Sequence, residues 1–248
     1  MTAGNLRIEE FSQKLYSRSM TAWTELPRAT FDLETTGIDP STARIVTASL
    51  VLVNPDGTVL RAGEWLANPG VEIPEQAAAV HGITTEYAQE HGRDAREVVY
   101  ELAMALGGLF HDGVPVIAFN AAYDFSVLHH ELKRYDFPEL TCYPVLDPYV
   151  INKQVHKFKK GKRTLEVLSA EYGVSLENAH TSKDDAMAAE RLLAAMAQQY
   201  PQIIVDAQSL HEEQIGWARA QAAEFQDYLQ RQGKNEVIDG SWPVRTAR

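Results

Sequence analysis

The sequence predicts an α/β domain with a mixed β-sheet, because the spacing of apolar residues changes partway along the chain. From Pro27 onward, three β-rich runs follow one another closely, and they predict an antiparallel meander over residues 28–66. Apolar residues then recur at helical spacing, and short buried strands alternate with helices. A meander followed by alternating helices and strands is typical of one domain in which helices flank a mixed sheet.

The individual elements follow from local patterns. Residues 44–53 and 58–66 are β-rich and are joined by Asn54-Pro55-Asp56-Gly57, in which Pro and Gly occupy the positions that a tight turn favours. The run VPVIAFN predicts a short buried strand over residues 114–120. Helices are predicted over residues 95–110, 123–135, 164–173 and 182–200. Thr181 and Asp184 form a capping box at the start of the last of these helices.

Three regions are predicted along the chain: an N-terminal extension at 1–26, the main domain at 27–200, and a C-terminal helical extension and tail at 201–248. In the extension, Ser209 and Glu212 predict a capping box for a helix that runs to Gly233. Its apolar stripe consists of Ile215, Ala218, Ala222, Phe225 and Leu229. A helix packed on its own domain and a docking helix for a partner or a second copy both fit this stripe, and the oligomeric state stays open.

Composition restricts the class of protein. The chain has 248 residues and a formal net charge of −11, which argues against a protein that coats nucleic acid through many Lys and Arg contacts. An enzyme whose acidic site works with divalent cations remains compatible with that charge. The one cysteine, Cys142, excludes an internal disulfide and a Cys-based zinc cluster. Neither a signal peptide nor a bilayer-spanning apolar run is evident, so we expect no membrane association and a cytoplasmic location.

The first candidate for chemistry is the pair Asp32 and Glu34, which lie two residues apart on a predicted strand. Their carboxylates therefore project to the same face. Two adjacent carboxylates repel each other unless a cation neutralises them. The turn Thr35-Thr36-Gly37 follows, but acidic residues are common at strand ends, so this pair alone is weak evidence for a metal site.

Further acidic residues occur at the starts of two predicted helices. Asp124 follows the strand at 114–120, at a position where ligands gather in α/β sheets, although an Asp there could simply complement the helix dipole. His180 and Asp185 are spaced so that both can face one point in space. Asp184 is expected to cap the helix, although its spacing also fits a metal ligand.

The order of these motifs resembles the DEDDh exonucleases of the RNase H-like superfamily. This group contains the proofreading epsilon subunit of bacterial DNA polymerase III and the TREX-type DNA exonucleases. FDLETTGIDP, FNAAYDFSVL and HTSKDDAMAAERLL resemble the three family motifs, and IPEQAAAVHGIT is similar to a family segment that ends in HGI. The resemblance covers roughly residues 27–198. Phe119 and Tyr123 stand where many epsilon-like members have His and Phe, but these departures leave the acidic residues intact.

This resemblance implies an RNase H-like mixed sheet and hydrolysis of phosphodiesters with two metal ions. It implies that Asp32, Glu34 and Asp185 hold the first ion, that Asp32 bridges to the second, and that Asp124 completes the second site. His180 would act as the general base that deprotonates the attacking water. Carboxylate ligands without cysteine favour Mg²⁺, or Mn²⁺, over zinc.

The resemblance also implies substrate contacts in the turn after Glu34 and next to Asp124, at Thr35, Thr36, Gly37, Ile38, His81, Asn120 and Tyr123. Thr35 and Thr36 would lie near the terminal 3′-hydroxyl, whereas Ile38 and Tyr123 would pack on the last base or its sugar. Ordinary packing in a cavity wall is the alternative for each of them. The basic segment at 153–163 predicts contacts between the phosphate backbone and Lys159, Lys160 and Lys162, unless it is only a solvated loop.

The sequence therefore predicts a 3′→5′ exonuclease that releases nucleoside monophosphates from DNA, with single-stranded DNA favoured. It would serve proofreading or repair, and proofreading would need a DNA polymerase in trans. An RNA-directed enzyme similar to RNase T or oligoribonuclease has the same acidic residues and is the main alternative. A non-catalytic polymerase-associated module that binds nucleic acid is a second alternative. An aspartyl phosphatase is disfavoured because the second acid of its D-x-D motif is here Glu34.

Overall fold

The computed structural model describes residues 21–176 and 181–245, and a six-stranded sheet lies at its centre. The strands are β1 (Arg28–Thr35), β2 (Ile45–Val53), β3 (Val59–Asn68), β4 (Arg93–Asp94), β5 (Val116–Ile117) and β6 (Val145–Leu146), in the order β4-β3-β2-β1-β5-β6. β1, β2 and β3 form the antiparallel meander. β4 pairs in parallel with β3, and β5 and β6 extend the sheet in parallel beyond β1. The predicted mixed α/β sheet is confirmed.

Eight α-helices are assigned in the described residues: α1 (Glu75–His81), α2 (Thr85–His91), α3 (Ala95–His111), α4 (Ala122–Arg134), α5 (Pro148–Val155), α6 (Leu165–Glu171), α7 (Ser182–Gln199) and α8 (Ala207–Arg231). Short 3-10 helices lie at Trp23–Glu25 and Pro201–Ile203. None of these helices combines the length and the hydropathy that crossing a membrane requires.

The two faces of β1 have different surroundings, and this difference positions the acidic residues. Ala29, Phe31 and Leu33 are buried in a core that includes residues of α3 and α4. Side chains alternate along a strand, so Thr30, Asp32 and Glu34 point to the other face. On that face Thr30 donates a hydrogen bond to the Ala186 carbonyl of α7.

Several local predictions need correction. The strand predicted over 114–120 is reduced to Val116–Ile117, because only these two residues pair with both neighbouring strands. The capping box at Ser209 and Glu212 is wrong: Asp206 is the N-cap, and its carboxylate accepts the Ser209 N–H at 2.8 Å. Asp caps as well as Ser does, so the earlier Asp in the chain starts the helix three residues before the predicted cap. At α7 the predicted cap is confirmed, with Thr181 Oγ1 accepting the Asp184 N–H at 3.3 Å.

The apolar stripe of the C-terminal helix is buried only in part. Leu229 is buried, whereas Phe225 is 47% exposed. The first half of α8 instead buries two polar side chains, His211 and Gln214, beside Leu210. Both polar side chains hydrogen-bond to the backbone around β6, which an apolar pattern cannot reveal.

A buried ion pair fixes α7 to the start of β1. Arg28 and Glu190 are both almost completely buried, and Arg28 Nε donates to Glu190 Oε1 at 2.8 Å. The guanidinium also lies over the Trp23 ring, 5.6 Å from its centre. Removing one partner of such a pair leaves an uncompensated charge inside the protein.

We expect Glu190→Ala to lower the free energy of unfolding by about 3–5 kcal/mol, because Arg28 would stay buried without its carboxylate. The double variant Arg28→Met/Glu190→Met should regain much of that loss, since neither charge is then buried. Urea unfolding of the three proteins measures both effects. Equal destabilisation by the single and double variants would show that the uncompensated charge of Arg28 is not the cause of the loss.

Candidate active site

Three carboxylates converge at the carboxyl end of β1. Asp32 and Glu34 come from β1, and Asp185 comes from the first turn of α7. One oxygen from each of the three can be chosen so that all lie within 4.8 Å of one another. An arrangement of three carboxylate oxygens at this spacing can hold a hard divalent cation such as Mg²⁺ or Mn²⁺.

Hydroxyl groups hold α7 at the position that this arrangement requires. Ser182, at the start of the helix, hydrogen-bonds through Oγ to Ser49 Oγ of β2 at 2.8 Å. Asp184 is half-buried and accepts a hydrogen bond from Thr181 Oγ1 at 2.8 Å, whereas the next residue, Asp185, belongs to the carboxylate group. The two adjacent acids therefore differ in their contacts: Asp184 hydrogen-bonds to the N-cap Thr181, and Asp185 lies with Asp32 and Glu34.

Asp124 lies in the first turn of α4, next to Leu33 of β1. Its side chain is only 4% exposed, and its Oδ1 accepts the Leu33 N–H at 3.1 Å. It lines a cavity of about 530 Å³ together with Asp32 and Asp185. Three of the four predicted acidic residues thus line one cavity, and the fourth, Glu34, belongs to the carboxylate group with Asp32 and Asp185.

Burial and mutual repulsion disfavour ionisation of these acids. Burial first, and then the nearby carboxylates Asp124, Glu34 and Asp185, raise the pKa of Asp32 well above its ordinary value. Burial also raises the pKa of Asp124. The pKa of Glu34 rises to about 7 through burial and the charge of Asp185. Proteins keep such groups ionised by placing a cation among them.

We expect the affinity for Mn²⁺ to rise as the pH increases from about 6 to about 8. A carboxyl group whose pKa is raised to about 7 is protonated below that pH, so the cation must displace the proton in order to bind. Without metal, the folded chain holds this proton more tightly than the unfolded chain does, so the stability contributed by Glu34 should fall as pH rises from about 4.5 to about 7.

Calorimetry in two buffers of different ionisation enthalpy measures the released protons directly. Glu34→Gln should release fewer protons than the natural chain. An affinity that does not change between pH 6 and pH 8 would contradict the expected competition.

The turn after Glu34 is tied to α4 by the hydroxyl of Tyr123, which hydrogen-bonds to Thr35 Oγ1 and the Gly37 carbonyl. Thr35 Oγ1 also donates to that carbonyl at 2.9 Å. Thr36 Oγ1 accepts the Arg44 N–H at 3.0 Å. Both predicted threonines therefore hold the turn itself in shape, and Tyr123 links this turn to the helix that carries Asp124.

A second cavity, of about 590 Å³, lies beyond this turn and includes Ile38 and His81 in its wall. Ile38 is 95% exposed and forms an apolar surface at the cavity. His81 Nδ1 accepts the Ile83 N–H at 3.2 Å, and burial lowers the pKa of this histidine. A neutral ring with Nδ1 as acceptor carries its proton on Nε2, so His81 can donate a hydrogen bond from that atom.

The predicted basic contacts do not share one environment. Lys162 lines the cavity that contains Asp32, Asp124 and Asp185. Lys159 instead forms an ion pair with Glu171 at 2.5 Å, so its charge is already compensated, and Lys160 is exposed. Of the three, Lys162 has the position that best suits a phosphate near the acidic residues. His180 lies outside the described residues.

Sequence reasoning missed Asp147, a completely buried carboxylate underneath the site. Its oxygens accept four N–H groups, at distances of 2.9 to 3.3 Å, from Asn120, Ala121, Tyr149 and the Trp242 ring. Asn120, with a φ of 57°, forms the left-handed turn that leads into α4 and Asp124. Burial raises the pKa of Asp147 to about 6, although these donors oppose that rise. One buried carboxylate thus fixes the turn before Asp124 and connects it to the C-terminal tail.

Comparisons with known proteins agree with this geometry. A family model for RNase T, described as an exonuclease, matches residues 30–193, which is more than half of the chain. The epsilon-like protein of DNA polymerase III from Rhodobacter capsulatus is 30% identical over 196 residues, covering 72% of this chain and 26% of that protein. The PolC-type DNA polymerase III of Lacticaseibacillus paracasei is 28% identical over 166 residues, covering 67% of this chain and 11% of the polymerase.

The chain therefore spans about a quarter or less of the length of these relatives. Among solved structures, Escherichia coli Exonuclease I in complex with a dA16 oligonucleotide has a TM-score of 0.62 at 15% identity, over 72% of this chain and 42% of that one. Exonuclease I from Methylocaldum szegediense has a TM-score of 0.58 at 18% identity, over the same shares of the two chains. Fold, carboxylate geometry and family model agree, and the chain belongs to the RNase T exonuclease family.

Proposed function

We propose that this nuclease is a metal-dependent 3′→5′ exonuclease that releases nucleoside monophosphates from DNA, with single strands favoured. The observation that carries the proposal is the convergence of Asp32, Glu34 and Asp185, together with the cavity that Asp32, Asp185 and buried Asp124 line. Hydrolysis of a phosphodiester requires that charge developing on phosphate oxygens be neutralised, and acidic side chains can do this only through bound cations.

The donor set fits two Mg²⁺ or Mn²⁺ ions. All four side chains offer hard oxygen ligands, and a bound cation would offset both the burial and the mutual repulsion that raise the pKa of Asp32 and Glu34. Two bound ions would lower the pKa of the attacking water and stabilise the leaving 3′ oxygen. Asp32 is the residue we assign to both ions, because its pKa is raised by all three other carboxylates.

The other residues of the site have separate tasks in this proposal. His180 takes the proton of the attacking water, since imidazole titrates near neutral pH and His180 directly precedes Thr181, the N-cap of the helix that carries Asp185. The turn from Thr35 to Gly37 holds the terminal nucleotide. Ile38 supplies an apolar surface for its base, and such a surface accepts any base. Lys162 attracts the scissile phosphate from the cavity wall.

RNA is the second candidate substrate, because the matching family model is that of RNase T. We favour DNA because the epsilon-like and PolC-type relatives are named as DNA polymerase III proteins, and because a structural neighbour is solved with a dA16 oligonucleotide. The same relatives support action beside a DNA polymerase in trans, in proofreading or repair. Retention of all four acidic residues and His180 argues against a non-catalytic binding module.

A set of labelled substrates tests this proposal. Single-stranded DNA, duplex DNA with a mismatched 3′ end, and RNA, each labelled at the 5′ end, are incubated with Mg²⁺ or Mn²⁺. Single-stranded DNA should shorten one nucleotide at a time, faster than RNA, and chelation by EDTA should stop the reaction. Internal cleavage before shortening would contradict exonuclease action, and faster cleavage of RNA would transfer the assignment to the second candidate.

A further inference from the structure

A third cavity, of about 410 Å³, adjoins the acidic site and is formed largely by the C-terminal part of the chain. The cavity at Ile38 shares Leu33 and Tyr123 with the cavity of the acidic residues. The acidic cavity in turn shares Asn120 and Tyr149 with the third cavity. The three cavities therefore adjoin one another, and Asp32, Asp124 and Asp185 line the middle one. A strand whose last nucleotide occupies the Ile38 cavity can leave the acidic site through the third one.

Two cationic side chains line the third cavity without an ion-pair partner among the described residues. Lys153 and Arg245 lie in its wall, and neither forms an ion pair with any described residue. Arg245 Nε is buried and has no hydrogen-bond partner in the described part of the chain. Arg163 lies close enough that, after burial, it contributes most to lowering the pKa of Lys153. Lys153 and Arg245, two cations in the wall of one cavity, can together bind an anion such as a phosphate.

Three acidic groups lie around this cavity, and two of them have their partners elsewhere. Glu224 forms its ion pair with Lys157 at 2.7 Å. Asp147 is completely buried, and four N–H groups bind its oxygens. Asp239 lines the cavity: its Oδ1 accepts the Ser241 N–H at 2.8 Å, and its Oδ2 is buried without a hydrogen-bond partner among the described residues. None of these carboxylates forms an ion pair with Lys153 or Arg245 within the described ranges.

Aromatic rings accompany the cations. Tyr149 lies between the acidic cavity and the third one, and Lys153 Nζ is 5.1 Å from the centre of its ring. Phe225 of α8 is 47% exposed and lines the same cavity. Sites for single-stranded nucleic acid combine cations that follow the phosphates with aromatic surfaces on which bases stack. The third cavity has both.

We propose that the third cavity is a subsite for nucleotides upstream of the cleaved bond, with Lys153 and Arg245 binding phosphate and Phe225 supporting a base. The inference rests on the proposed function, since it requires a 3′ end at the Ile38 cavity. Phe225 and Arg245 lie outside the residues matched by the family model. The C-terminal extension therefore adds a substrate-binding surface to the shared nuclease domain.

Substrates of different length test this subsite. A 12-nucleotide single strand reaches the third cavity, whereas the p-nitrophenyl ester of thymidine 5′-monophosphate occupies only the terminal site. Lys153→Ala and Arg245→Ala should each raise KM for the 12-mer about fivefold or more and leave hydrolysis of the ester unchanged. Each should also reduce the slope of log affinity against log salt by about 0.7, the value for one lost phosphate contact on a single strand.

Arg61→Ala is the matched control, because Arg61 is an exposed cation that lines a different cavity on β3. It should leave the KM for the 12-mer unchanged. An unchanged KM in the double variant Lys153→Ala/Arg245→Ala, with the ester still hydrolysed, would overturn the subsite and leave the proposed function standing. A natural chain that hydrolyses neither substrate would instead contradict the proposed function.

Photocrosslinking provides a test that needs no variant. Oligonucleotides carrying 5-iododeoxyuridine at successive positions from the 3′ end are irradiated in complex with the natural protein. Peptides containing Phe225 or Tyr149 should carry the crosslink for upstream positions and not for the terminal one. Crosslinks from every upstream position to other surfaces would overturn the proposal.

Discussion

Asp32→Asn should reduce exonuclease activity by at least about 10⁴-fold, because this residue is central to the carboxylate group and we assign it to both cations. The substitution keeps the size of the side chain but removes its charge. Initial rates on 5′-labelled single-stranded DNA at saturating Mn²⁺ measure the loss, and calorimetry measures the accompanying loss of metal affinity.

Stability should respond in the opposite direction. Burial and three neighbouring carboxylates oppose ionisation of Asp32, so a neutral side chain removes repulsion from the metal-free protein. The melting temperature of metal-free Asp32→Asn should equal or exceed that of the natural chain. This result would separate a catalytic defect from a folding defect.

Two adjacent acids on α7 supply a matched control. Asp185→Asn should share the activity loss, whereas Asp184→Asn should keep activity within a few-fold because Asp184 contacts the N-cap Thr181 and lies outside the carboxylate group. Full activity in Asp32→Asn, or equal losses in Asp184→Asn and Asp185→Asn, would contradict the assignment of these carboxylates.

His180→Ala should reduce the turnover rate by about 10²–10⁴-fold and leave affinity for Mn²⁺ nearly unchanged. This range is typical for the loss of a general base. The four acidic residues would still be present to bind the cations. Single-turnover experiments measure the rate, and titration with Mn²⁺ measures the metal affinity.

The pH profile distinguishes a base from a structural residue. A base must be unprotonated to act, so the natural enzyme should gain activity as pH rises through the pKa of the histidine. That part of the profile should be lost in His180→Ala, and added imidazole should restore some activity. His111→Ala, at an exposed position at the end of α3, serves as a control and should retain the natural profile. Loss of metal binding in His180→Ala equal to its loss of activity would argue against the role of a base.

Local sequence patterns predicted the elements that carry the acidic residues, and the reasons are physical. Alternation on β1 required Asp32 and Glu34 to share a face, and the structure places both oxygens in one group with Asp185. Long helices such as α7 have a strong apolar period and a recognisable cap. In contrast, the strand predicted over residues 114–120 is β5, of which only two residues pair with β1 and β6, and the two-residue strand β6 was not predicted. No local pattern specifies so short a strand.

Long-range contacts account for what the sequence did not predict. Asp147 binds the N–H groups of Asn120 and Trp242, which are 27 and 95 residues away along the chain. Gln214 of α8 accepts the Asp147 N–H at 2.7 Å. A residue whose partners are so distant looks in sequence like an ordinary helix cap. For the same reason, the C-terminal segment seemed separate from the site, although it packs beside β6 and α5.

A crystal structure with Mn²⁺ and thymidine 5′-monophosphate tests the central claim most directly, because manganese gives an anomalous signal. We predict two anomalous peaks about 3.5–4 Å apart, as in other two-metal sites. The first should contact Asp32, Glu34 and Asp185, and the second should contact Asp32 and lie on the side of Asp124. The phosphate of the nucleotide should lie against both peaks. Manganese bound only elsewhere, with the nucleotide remote from these carboxylates, would contradict the assignment of this site as the catalytic centre.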